Sequence, residues 1–88
     1  MPFEWTVTIK ADFPSVPSTG FPGGIFEASY TFEEAKRYAA VAKALERFIK
    51  NNRLPFRPYQ LRSEYRHYVD IRTKCSDDAR VKTYAFEE

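Results

Sequence analysis

Lys36, Lys43, Arg47 and Lys50 are separated by seven, four and three residues. On a helix that spacing places four cations along one stripe, opposite the buried stripe. A second set, Arg62, Arg66, Tyr68, Arg72 and Lys74, occupies even positions only. On an extended strand those five side chains share one face. Guanidinium forks grip phosphate or carboxylate through paired hydrogen bonds, and tyrosine rings stack on bases. The chemistry open to both sets is therefore the binding of anions. Each set also reads as an ordinary solvated surface, with Glu64 and Asp70 partly neutralising the second.

Residue types that could do more are scarce. His67 is the single histidine and Cys75 the single cysteine. Strand periodicity puts His67 between Tyr65 and Val69 on an apolar face, where a histidine serves as a hydrogen-bonded core residue. A shift of one residue would bring it to solvent beside Arg66 and Arg72, a setting for acid–base work on an RNA hydroxyl. One Cys and one His cannot fill a structural zinc site, and Asp77-Asp78 lacks the spacing of a calcium loop. No metal and no cofactor is expected, no catalytic residue is assigned, and the expected class is not an enzyme. The stretch Pro14–Gly24 carries three glycines and three prolines but no phosphate-loop lysine. Phe21, within it, either anchors a partner or folds back over the core.

The charge is unevenly divided. Residues 1–35 hold one lysine against five acids, residues 36–74 hold eleven Lys and Arg against three acids, and residues 75–88 hold two against four. The whole chain of 88 residues nets only +2. A basic middle between acidic ends points to an anionic partner, unless folding intersperses the charges. No apolar run reaches the length of a membrane span. Met1-Pro2-Phe3-Glu4-Trp5 lacks the basic and apolar regions of a signal peptide, so the expected location is cytoplasmic.

The elements that must carry these residues follow from periodicity. Phe3, Trp5, Val7, Ile9, Ala11 and Phe13 alternate with polar residues, which predicts a half-buried strand ended by Pro14. A second short strand is expected over 25–31. Thr31-Phe32-Glu33-Glu34 matches a capping box, so a helix is expected from Phe32 to about Asn51, with an apolar stripe of Tyr38, Val41, Ala42, Leu45, Phe48 and Ile49. Residues 56–74 alternate again and predict a long third strand, and 79–86 a fourth. The expected fold is α+β, a single two-layer domain over 1–88. Its order is β-β-α-β-β, with one amphipathic helix packed on one face of a mostly antiparallel four-stranded sheet.

In length, single-domain α+β layout and lack of motifs, the chain resembles the small phage-encoded inhibitors of bacterial defence, such as anti-CRISPR proteins. The resemblance covers the style of the whole chain and none of its positions. It implies a non-enzymatic protein that occupies a surface of a protein or nucleoprotein complex. The alternative expectation is direct nucleic-acid binding through the strand-3 or helix face. A third reading comes from size and a basic hairpin near the C-terminus, in which the chain is similar to small basic ribonuclease toxins, with His67 at the centre. A homodimer through a free sheet edge is also open.

Overall fold

The computed structural model describes residues 3–76 and the backbone of Thr83–Tyr84. Strand β1 spans Phe3–Phe13 and β2 spans Gly24–Glu34. Helix α1 runs over Arg37–Asn52, a single helical turn α2 over Pro58–Leu61, and β3 over Val69–Cys75. β1 lies in the middle, antiparallel to both β2 and β3. The α+β class and the single main helix are as expected. The four-stranded sheet is not. The sheet has three substantial strands in the order β2-β1-β3, and a two-residue strand, Thr83–Tyr84, pairs with the free side of β3. The rest of the expected strand over 79–86 lies outside the described residues.

β1 forms as its alternation dictates. Trp5, Val7, Ile9, Ala11 and Phe13 are buried beneath α1, while Glu4, Thr6, Thr8, Lys10 and Asp12 turn to the opposite face. β2 is longer than expected and absorbs the supposed helix start. Phe26, Ala28, Tyr30, Phe32 and Glu34 keep period two to the end, and each residue from Gly24 to Glu34 has a partner on β1. The Trp5 indole N–H donates to the Glu34 carbonyl at 3.1 Å. Thr31 spends its hydroxyl on Thr6 at 3.2 Å instead of on a cap. Eleven paired residues outweigh one capping box, whose worth is typically ~1 kcal/mol. α1 accordingly begins at Arg37 with no side-chain cap. It ends at Arg53, in the left-handed region at φ 52°, rather than at the asparagines, and Asn52 bonds back to the Phe48 carbonyl at 2.9 Å.

The long third strand is the largest departure. Pro58 cannot donate to a ladder but suits the first turn of a helix. There the Gln60 side chain accepts from the Arg57 N–H at 2.8 Å. A further 3-10 turn covers Arg66–Tyr68, and only Val69–Cys75 is extended. Leu61 and Tyr65, four apart, meet the core as readily from a turn as from a strand, with Leu54 and Phe56 buried beside them. Loss of strand parity across 58–68 removes His67 from the core. Its side chain is exposed.

The Pro/Gly stretch is a small ordered corner. Val16 and Phe21 exchange backbone hydrogen bonds at 2.7 and 3.2 Å around a 3-10 turn at Pro17–Thr19. Phe21 thereby folds back onto Phe13, Phe26 and Phe56, with ring centroids 5.4–6.1 Å apart. It packs against the core instead of standing out as an anchor. No helix among the described residues is long and apolar enough to cross a membrane.

Candidate docking groove

The nine basic and aromatic surface residues expected to bind anions do not form one surface. Arg72 and Lys74 lie on β3, on the sheet face turned away from α1. Arg62, Arg66 and Tyr68 lie on the connector between α1 and β3, with Arg62 half-buried at the end of α2. The strand-3 cluster is thus split by the turns that replace its first half.

The uncovered sheet face is also less basic than the alternation of residues 56–74 implied. Register places Ser29, Thr8 and Arg72 in one row, and Glu27, Lys10 and Asp70 in the next. Lys10 reaches Glu27 at 3.9 Å and Arg72 bonds Asp70 at 3.0 Å. On this face of β1, β2 and β3 the cations are Lys10, Arg72 and Lys74. The acids are Glu4, Asp12, Glu27, Glu33 and Asp70. With acids in the majority, the face offers no attraction to a polyanion.

His67 sits at the rim of a shallow groove with Lys10, Asp12, Ile25, Tyr68 and Asp70. Among the described residues no hydrogen bond or ion pair is made by its ring. His67→Ala is expected to change stability by less than about 0.5 kcal/mol, as for other exposed positions. Thermal unfolding of the two proteins checks this; a clear loss of stability would return His67 to a structural role.

The helix cations are arranged differently from a stripe opposite the core. Ala40 falls in their spacing and is fully buried, so the stripe flanks the buried face of α1. The flank borders the end of β2. The Lys43 ammonium pairs with the Glu34 carboxylate. The Arg47 guanidinium lies over the Phe32 ring, 5.7 Å from its centroid, a cation–π contact. Phe32 stacks in turn on Tyr30, with centroids 6.4 Å apart and planes 28° from parallel. Lys43, Glu46, Arg47 and Lys50 together with Phe32 line an open groove of about 600 Å³. Lys36 stands apart at the helix start, 6.0 Å from the exposed Tyr38 ring.

This groove joins three of the expected cations to Phe32, and through its stacking to Tyr30, neither of which was expected at a binding site. The signal for them was present, since the alternation from Phe26 runs unbroken through Tyr30 to Phe32 and Glu34. Assigning Thr31–Glu34 to a helix cap hid it. Beside the groove runs the outer edge of β2, which among the described residues pairs with β1 alone. The described residues hold no group of three His, Cys, Asp or Glu side chains placed to bind a metal ion.

The chain matches no protein-family model, no curated protein and no solved structure. The groove is therefore read from its own geometry.

Proposed function

We propose that this protein is a non-enzymatic binding module that takes an anionic macromolecular partner into the groove between α1 and β2. The observation that carries the proposal is the contrast between its two surfaces. The groove sets three cations, Lys43, Arg47 and Lys50, against one acid, Glu46, around Phe32, which stacks on Tyr30, while the broad uncovered sheet face carries more acids than cations. Arginine next to aromatic rings, at the border of an apolar wall, is the composition that binding hot spots favour.

The test is fluorescence anisotropy with two labelled probes, an acidic peptide of alternating Thr and Glu and a single-stranded oligonucleotide, at about 50 and 200 mM salt. Wild-type protein is expected to bind at least one of them, with salt weakening the complex. Arg47→Glu/Lys50→Glu is expected to reduce that affinity at least about tenfold, or ~1.4 kcal/mol. Arg72→Glu/Lys74→Glu, on the sheet face, is expected to leave it within about twofold, a change of ~0.4 kcal/mol. Absence of binding by both probes, or equal loss in the two variants, overturns the reading.

A further inference from the structure

We infer that the partner taken by this groove is an acidic, extended polypeptide segment that adds itself as a strand to the free edge of β2. The inference rests on the groove reading above and narrows its partner.

The first observation is the edge. β2 is eleven residues long, and its pairing with β1 runs without a bulge from Phe3↔Glu34 to Phe13↔Gly24. In an antiparallel pair each residue turns both its N–H and its C=O to the same side, and successive residues alternate. About half of β2 therefore directs its backbone groups away from β1, toward the groove side. Natural edges are usually blunted by proline, charged side chains (lysine above all), bulges or a covering element. Gly24–Glu34 contains no proline, no lysine and no bulge, and its charges are Glu27, Glu33 and Glu34.

The second observation is charge on the two sides of that edge. A strand laid beside β2 presents alternate side chains to the two faces of the sheet. Those on the helix side meet Phe32 and the groove's charges, where Arg47 and Lys50 outnumber Glu46 and Lys43 is paired with Glu34, so they favour acidic groups. Those on the opposite side meet Glu27 and Glu33, where a further acid is repelled. The preferred segment thus alternates acidic with neutral or basic residues. A continuous acidic run is disfavoured. A nucleic acid has no amide ladder to offer the edge. A second copy of this chain pairing β2 to β2 would bring two basic helix flanks together. Both are therefore poorer occupants than an acidic peptide.

The probe is a labelled, end-blocked peptide of about ten residues with Thr and Glu alternating, the length an eleven-residue edge accommodates. Two backbone variants accompany it, one N-methylated only at the Thr nitrogens and one only at the Glu nitrogens. In strand addition only one of the two sets of amides faces β2. One methylated peptide is therefore expected to bind at least about tenfold more weakly, while the other stays within about threefold of the parent. A peptide of the same composition with all Glu in one block is expected to be weaker than the parent, and Arg47→Glu/Lys50→Glu to weaken the parent as well.

If both methylated peptides bind alike, adhesion is electrostatic and strand addition is overturned. If the oligonucleotide binds in the groove and the alternating peptide does not, the groove stands and the peptide inference falls. A concentration-dependent dimer in sedimentation, dissociated by neither peptide, assigns the edge to a second copy and overturns the inference. If neither probe binds, the groove reading falls with it.

Discussion

Phe13→Ala is expected to lower stability by about 3–5 kcal/mol, the range for truncating a buried phenylalanine. The ring is 3% exposed at the end of β1. It touches four others, Phe21, Phe26, Phe56 and Tyr65, at centroid distances of 6.0, 6.0, 5.0 and 6.5 Å. Those rings come from the Pro/Gly corner, β2 and the segment after α1. Phe13 therefore touches every other ring of a cluster drawn from three pieces of chain, and its removal leaves a void that no single neighbour can fill. A domain of this size is stable by only roughly 5–10 kcal/mol. The loss takes a large part of that, and at about 4–8 °C per kcal/mol it lowers Tm by more than about 12 °C. Phe21→Ala removes a half-buried ring from the same cluster and is expected to cost less, about 1–2 kcal/mol. Chemical denaturation of the three proteins checks the order; a Phe13 variant no weaker than the Phe21 variant would show that the cluster is not centred on β1.

Gly23→Ala is the second large effect, and it acts at the same corner by a different mechanism. Gly23 has φ +83°, and a Cβ there would stand 2.6 Å from the Phe13 carbonyl oxygen, 2.8 Å from the Pro14 carbonyl carbon and 2.8 Å from the Ser15 nitrogen. All three are backbone atoms, so no side chain can swing aside. The left-handed conformation alone costs an alanine about 1 kcal/mol, and displacing the backbone of Phe13–Ser15 brings the expected total to about 2–3 kcal/mol. Gly20 is the internal control. It shares the positive φ, at +75°, but has nothing within 4 Å of a built Cβ. Gly20→Ala should therefore show only the conformational part, about 1 kcal/mol. Equal destabilisation at the two glycines would mean that the contacts at Gly23 relax freely. Because Gly23 closes on Phe13, the two large variants are expected to be non-additive when combined.

Binding measured on these variants also separates the groove from the fold. Phe13 and Gly23 lie outside the groove residues Phe32, Lys43, Glu46, Arg47 and Lys50. Variants there are expected to weaken binding only insofar as they unfold the protein, whereas Arg47→Glu/Lys50→Glu should weaken it in a fully folded one.

The α+β class, the first strand and its buried face, and the body of the helix with Val41, Leu45 and Phe48 inward were legible in the residue pattern, which left the folding back of Phe21 as one of two options. These rest on local periodicity over ten or more residues, or on residue types with few alternatives, and nothing distant had to be known. Tertiary structure alone decided the rest. Whether Thr31–Glu34 caps a helix or ends a strand depends on β1 offering partners as far as Phe3, a contact 31 residues away in the chain. Whether Tyr65 and His67 share a face depends on turns at Pro58–Leu61 and Arg66–Tyr68, and the spacing of Leu61 and Tyr65 suits strand and turn alike. The groove follows from the first of these decisions. Once β2 keeps Phe32 and Glu34, they come to rest beside Lys43 and Arg47, and an edge strand borders a cationic helix flank. No local pattern encodes that neighbourhood, because its members are joined only by the packing of α1 on the sheet.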